Sequence, residues 1–283
     1  MTGQNVVITG GNSGIGKSTA NELARLGARV VITARNADRG RQAVSDIKQA
    51  SGSDAVECIP LDLGSLASVR TCAAELLGRL EKIDVLDLNA GGLLSRRVVT
   101  EDGFEMQFQA NHLGHFLLTS LLLDRLRQSA PARVVVLSSW GHTQARGGLD
   151  FEDLQWATRP YKGSSVYSAT KLMNLYFTFE LARRTAHDGI TVNALHPGFV
   201  ASGFGKDGDT TWLRLGIALG RPFARSPEKG ARTAIWLAAS PDVADVTGTY
   251  FVDCRRKEPA KAALDDQAAA RLWEVSETLA GIA

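Results

Sequence analysis

VVITGGNSGIG, running from Val6 to Gly16, decides the fold. Val6, Val7 and Ile8 form a short β-branched run that suits a strand buried on both faces. Glycines follow at positions 10, 14 and 16, and Lys17 to Leu26 (KSTANELARL) then keeps helical spacing with no breaker. The order is strand, glycine turn, helix. Gly10, Gly14 and Gly16 let the chain turn tightly and let backbone N–H groups come close to a ligand. An anion such as a pyrophosphate then sits at the helix N-terminus, where unpaired N–H groups and the helix dipole favour negative charge. Glycines alone equally mark a plain tight turn; the strand before them and the helix after them point to phosphate.

The spacing Gly10-xxx-Gly14-x-Gly16 is not the GxGxxG of the commonest dinucleotide fingerprint. It resembles the TGxxxGxG motif of the short-chain dehydrogenase/reductase family, and Thr9 through Gly16 match that motif at every fixed position. The resemblance implies an α/β fold: a single Rossmann-type, doubly wound parallel sheet of about seven strands with helices on both faces. It also implies that Thr9, Gly10, Asn12, Ser13, Gly14, Ile15 and Gly16 hold a nicotinamide dinucleotide. No internal repeat or low-complexity linker interrupts the chain, so residues 1–283 read as one domain.

Lys plus Arg number 32 against 30 Asp plus Glu, a net charge of +2. That balance argues against nucleic acid or an acidic membrane as main partner. Arg255-Arg256-Lys257 reads as a solvated loop. Cys58, Cys72 and Cys254 show no CxxC spacing, so no metal site is expected, and sparse thiols fit a reducing cytoplasm. No stretch approaches the ~18 apolar residues of a membrane span. The first strand begins within a few residues of Met1, which leaves no room for a signal peptide. A cytoplasmic protein with no integral membrane segment is expected.

Further motifs extend the resemblance from Val6 to Ile282. Arg29 to Thr33 is a second buried strand, and the ribose of a bound dinucleotide lies at its end. In the family alignment Ala34 takes the position where an acidic residue grips a free 2′-hydroxyl, and Arg35 follows it. A guanidinium binds a 2′-phosphate that an acid would repel, so the expected cofactor is NADP(H). The resemblance also assigns Asp62 and Leu63 to the adenine side, although Asp62 suits a turn or helix cap equally well. After the strand Asp84–Leu88, Asn89, Ala90 and Gly91 match a family element that lets backbone approach the cofactor. Asp87, inside that strand, is a carboxylate in need of a partner or a shifted pKa.

Phe104 to Leu126 has a helical pattern, and NHLGHF (Asn111 to Phe116) within it resembles the family's catalytic Asn element. Asn111 is expected to hold a water in a proton relay behind a lysine; His112 and His115 read as structural. The strand Arg133–Leu137 ends in Ser138-Ser139, where hydroxyls face a ligand crevice. The family pattern makes Ser139 catalytic, with Ser138 as the alternative. Tyr167-Ser168-Ala169-Thr170-Lys171 is the YxxxK motif, its ends one helical turn apart. A phenol has an ordinary pKa of about 10, and a nearby ammonium favours the phenolate. Tyr167 is then the general acid or base, Lys171 lowers its pKa and holds the nicotinamide ribose, Tyr167 with Lys171 is also expected to contact the cofactor, and Ser139 hydrogen-bonds the substrate oxygen.

Between Ser139 and Tyr167 a long loop offers Phe151, Trp156 and Tyr161 as a pocket wall. Pro197, Gly198, Val200 and Ser202 match the family's contacts to the nicotinamide side. Residues 202–225 read as a substrate lid with one apolar helical face, or alternatively as a structural subdomain. The endings GTYFVDC and ARLWEVSETLAGI resemble the retinol-dehydrogenase-like and WW-domain-oxidoreductase-like branch. That branch implies a lipophilic alcohol, aldehyde or ketone as substrate. A C=C reductase using the same Tyr–Lys pair is the alternative within catalysis, and a non-catalytic NADP sensor the alternative outside it. The helices at 111–128 and 164–184 form dimer faces in many relatives, so a homo-oligomer is an expected partner state; their leucines suit a core equally.

Overall fold

Apolar runs without alternation make strands that need cover on both faces, and the helices between them supply it. The computed structural model describes residues 1–200 and 224–282; Ser202 and positions 202–223 of the expected lid lie outside them. The elements are β1 (Asn5–Ile8), α1 (Gly14–Arg25), β2 (Arg29–Ala34), α2 (Ala37–Ser51), β3 (Val56–Pro60), α3 (Leu66–Arg79) and β4 (Val85–Leu88). After them come α4 (Met106–Phe108), α5 (Gly114–Gln128), β5 (Ala132–Leu137), α6 (Gly163–Arg184) and β6 (Ile190–His196). The chain ends with α7 (Pro227–Ala239), β7 (Thr249–Val252), β8 (Arg255–Arg256) and α8 (Asp266–Ala280).

The strands lie in the order β3-β2-β1-β4-β5-β6-β7-β8, parallel throughout except for β8. Strand order reverses between β1 and β4, which opens a crevice at their C-terminal ends. Eight strands replace the expected seven. Arg255 and Arg256, read from their charge as a loop, pair antiparallel with Val252 and Phe251. Asp253 and Cys254 turn the chain back through the left-handed region, with φ of 52° and 58°. Both arginines stay exposed, so their charge gave no sign of the pairing.

Alternate strand residues feed two cores. Val7, Val31, Leu86, Leu88, Val134 and Val192 pack toward α3, α5, α6 and α8. Val6, Ile8, Val30, Ile32, Val135 and Leu195 pack toward α1, α2 and α7. Trp273 of α8 stacks on Phe177 of α6 at 6.0 Å and meets Phe116 of α5 edge-on at 4.9 Å. Leu117, Leu118 and Leu122 of α5, and Leu172 and Leu175 of α6, are buried in this chain's own core. Those five leucines take the core role. No helix among the described residues is long and apolar enough to cross a membrane.

The single helix expected over 104–126 is interrupted. Between α4 and α5, Gln109–Leu113 forms a π-helical turn. A Cβ on Gly114 would lie 2.7 Å from the Leu63 carbonyl oxygen, so this glycine lets α5 seat tightly against the chain after β3. Such π-turns occur frequently at functional sites, and this one carries Asn111.

Candidate active site

The glycine turn sits at the switch point. Gly10 and Gly14 have φ of +66° and +54°, conformations glycine adopts without strain. A Cβ on Gly16 would lie 2.4 Å from Asn89 Nδ2 and 2.7 Å from the Gly10 carbonyl oxygen. Asn89 donates to the Thr9 carbonyl at 2.8 Å, which closes the end of β4 over the turn. Ser13, the N-cap of α1, makes no side-chain cap bond. The start of α1 is thus a cradle of backbone N–H groups suited to a pyrophosphate. Gly16→Ala is expected to cost about 1–3 kcal/mol through overpacking. It should also shrink the rise in Tm that NADPH produces in wild type, read by thermal unfolding with and without the nucleotide.

Arg35 is exposed just past Ala34, the last residue of β2. Asp62 Oδ1 accepts from the Gly64 amide at 2.9 Å, the turn role that its sequence context allows. The Leu63 side chain is buried in the core, which leaves only its backbone to face a ligand. Ile15 is likewise buried, whereas Asn12 and Ser13 keep exposed surface. Gly198 has φ of +86°, and Arg225 packs so near that a Cβ there would lie 2.9 Å from it. Val200 forms an isolated bridge with Arg225, which ion-pairs with Asp253.

Ser139, Tyr167, Lys171 and Asn111 converge from three elements. The Ser138 hydroxyl donates to the Lys171 carbonyl at 2.8 Å and is buried, a tie between β5 and α6. The Ser139 hydroxyl instead hydrogen-bonds Tyr167 and accepts from the Gly141 amide at 3.1 Å. A Cβ on Gly141 would lie 3.3 Å from Tyr167 Cε1, so the glycine lets the turn rest on the phenol ring. Lys171 Nζ donates to the Leu137 carbonyl at 3.0 Å and lies 5.6 Å from the Tyr167 ring centroid. Asn111 Oδ1 and Lys171 Nζ both approach Gly91, at 3.2 and 3.4 Å from where its Cβ would be.

The electrostatics differ from the sequence expectation. Burial pushes the Tyr167 hydroxyl up to about 12, and the hydrogen bond from Ser139 offsets only part of that. Burial also pulls the Lys171 ammonium down to about 8. Spacing places the two groups together but says nothing of how dry their surroundings are, and here desolvation dominates.

Asn111 is braced by backbone. Its Oδ1 accepts from the Gly92 amide at 2.8 Å, and its Nδ2 donates to the Gly92 carbonyl at 2.9 Å and to Thr170 Oγ1 at 3.1 Å. His115, buried, reaches the Asn111 carbonyl with Nδ1 at 3.3 Å and Thr9 Oγ1 with Nε2 at 3.0 Å. It therefore links the nucleotide turn to the π-turn, a contact that its sequence position alone does not disclose. In the loop before α6, the Tyr161 hydroxyl donates to Glu105 at 2.9 Å and accepts from Gln107 at 2.7 Å. Arg271 of α8 lies over the Phe151 ring at 4.4 Å, and Arg159 lies over Trp156 at 3.7 Å. These three aromatics hold the loop to its surroundings.

The family described as short chain dehydrogenase matches residues 4–149 and 155–211. Retinol dehydrogenase 13 of Homo sapiens is 43% identical over 286 residues, covering 100% of this chain and 86% of its own. The WW domain-containing oxidoreductase of Danio rerio is 42% identical over 280 residues, covering 97% of this chain and 68% of its own. The crystal structure of an uncharacterised protein from Mycobacterium paratuberculosis superposes with a TM-score of 0.78 at 35% identity, covering 99% of this chain and 94% of that one. Matched over more than half its length by the family and end to end by these relatives, the chain belongs to the short-chain dehydrogenase family, as a nicotinamide-dinucleotide-dependent oxidoreductase of alcohols or carbonyls.

Proposed function

We propose that the protein interconverts a lipophilic alcohol and its aldehyde or ketone with NADP(H), using Tyr167 as general acid or base. The observation that carries this reading is the hydrogen-bonded Ser139–Tyr167 pair, with Lys171 one turn along α6. The glycine cradle fits the dinucleotide, which when bound supplies or accepts the hydride at the substrate carbon. In reduction, the substrate oxygen takes a hydrogen bond from Ser139 and the proton of the Tyr167 hydroxyl as the carbon gains hydride. In oxidation, Tyr167 takes the alcohol proton. Lys171, largely protonated at neutral pH even at a pKa of about 8, holds positive charge beside Gly91 and the phenol. Asn111 keeps the chain after β4 against α6, which sets the distance between Lys171 and Gly91.

Ala34 and Arg35 support NADPH over NADH. Trp140 and Phe199, 60% and 56% exposed at the ends of β5 and β6, support an apolar substrate. The test is nucleotide consumption against lipophilic aldehydes, ketones and quinones, with NADPH and NADH compared at one ionic strength. Arg35→Ala is expected to raise KM for NADPH about 10- to 100-fold, the worth of a charge-assisted hydrogen bond, and to leave KM for NADH unchanged. Equal use of both nucleotides by wild type would overturn the NADP assignment.

A further inference from the structure

Ser139 is held by a side chain that the reaction itself does not require. His142 lies in the short 3₁₀ turn Trp140–Gln144 that follows Ser139, and it is buried. Its Nδ1 is 2.6 Å from the Ser139 carbonyl oxygen, and its Nε2 is 3.1 Å from the Ala260 amide nitrogen. These two partners settle the tautomer. A carbonyl only accepts, so Nδ1 carries the proton; an amide N–H only donates, so Nε2 is bare. An imidazolium would lose the Ala260 bond. Burial lowers the His142 pKa, in keeping with a ring that stays neutral.

The ring joins two distant pieces of chain. On one side the Ser139 carbonyl also accepts from the His142 amide at 3.2 Å, and the Ser139 hydroxyl accepts from Gly141 in the same turn. That acceptance leaves the hydroxyl proton free to point at Tyr167. On the other side Ala260 opens a segment anchored by the Tyr176 hydroxyl, which donates to the Ala262 carbonyl at 2.7 Å. Tyr250 of β7 meets the His142 ring edge-on at 5.2 Å. His196 of β6 is within electrostatic reach of the ring, and Tyr167 of α6 packs against the neighbouring Gly141.

We infer that His142 is a positioning residue: as a neutral Nδ1–H imidazole it straps the Ser139 carbonyl to the Ala260 segment and so aims the Ser139 hydroxyl at Tyr167 and the substrate oxygen. The inference rests on the proposed role of Ser139 and Tyr167. Without the strap the serine turn loosens, Ser139 ceases to donate to Tyr167, and the phenol becomes a weaker acid.

The test combines kinetics with isotope-edited NMR of the imidazole nitrogens. NMR of the wild type reads the strap whether or not a substrate has been found; it should show a neutral Nδ1–H ring for His142 at neutral pH. A protonated ring or an Nε2–H tautomer at neutral pH would overturn the inference. His142→Leu is expected to lower kcat about 100-fold, the scale of an ångström-size misplacement, with KM for NADPH unchanged. The rising limb of kcat/KM for alcohol oxidation, which reports the enzyme before substrate binds, should move to higher pH, because the Ser139 hydrogen bond that favours the phenolate is gone. His142→Asn, whose amide overlies Nδ1 and still donates to the Ser139 carbonyl but cannot reach the Ala260 amide, should recover kcat and the limb only in part, and full recovery would overturn the Ala260 end of the strap. A His142→Leu enzyme with wild-type kcat and limb would overturn the strap. A variant that fails to fold leaves His142→Asn and the wild-type NMR to decide. Loss of activity in Tyr167→Phe with the strap intact by NMR separates a failure of this inference from a failure of the functional reading.

Discussion

Tyr167→Phe is expected to lower kcat/KM by about 10²- to 10⁴-fold, the range for loss of a general acid or base. NADPH binding should weaken only slightly, since the turn that cradles the dinucleotide lies between β1 and α1, away from the lost hydroxyl. The substitution removes one oxygen and keeps the ring that rests on Gly141, so the fold should survive. Because burial raises the Tyr167 pKa to about 12, the phenol stays protonated from acid through neutral pH. Carbonyl reduction by wild type should therefore show little dependence on Tyr167 ionisation below that range. Alcohol oxidation should climb through the alkaline range as the phenolate becomes accessible. Steady-state rates in both directions over pH, wild type beside Tyr167→Phe, check this. Turnover that survives the substitution would remove Tyr167 from its role.

Asp87→Val is expected to stabilise the protein by about 4 kcal/mol more above neutral pH than in acid. Asp87 lies in β4 between Ile8 of β1 and Val135 of β5, and it is 1% exposed. Neither carboxyl oxygen has a hydrogen-bond partner among the described residues. Burial alone pushes its pKa from 3.8 to about 7. Below the lower value both folded and unfolded chains are protonated there, and the pH-dependent part of the cost vanishes. Between the two values the unfolded chain is charged while the folded chain keeps its proton, so stability falls as pH rises. Above about 7 the full cost is present. A shift of roughly three units corresponds to about 4 kcal/mol. Urea unfolding of wild type and variant in acid and above neutral pH measures the difference; equal pH slopes would refute the assignment. The Asp87 backbone carbonyl also accepts from the Thr9 amide at 2.9 Å, so this acid lies directly behind the nucleotide turn.

Both predictions depend on burial, and burial marks where sequence reading stopped. The parallel strands were legible because β-branched runs need cover on both faces, and the nucleotide turn because its glycines stand between such a strand and a helix. Tyr167 and Lys171 were legible as neighbours because helical spacing brings them together. Ser139 was distinguished from Ser138 only by resemblance until the fold tied the Ser138 hydroxyl to the Lys171 carbonyl. His142, three residues past Ser139, went unremarked, although a histidine in the turn after a strand that ends in a candidate catalytic serine is a signal worth reading. Its partner at Ala260 lies 118 positions away, beyond any local pattern.

By itself the sequence determined the parallel strands, the glycine turn and the one-turn spacing of Tyr167 and Lys171, since these follow from local geometry and residue type. Only the tertiary structure decided that the leucines of α5 and α6 are buried in this chain's own core, that a π-turn seats Asn111 against Gly92, and that desolvation sets the Tyr167, Lys171 and Asp87 pKa values. Those outcomes depend on which distant segments exclude water from a group, and that is a property of packing.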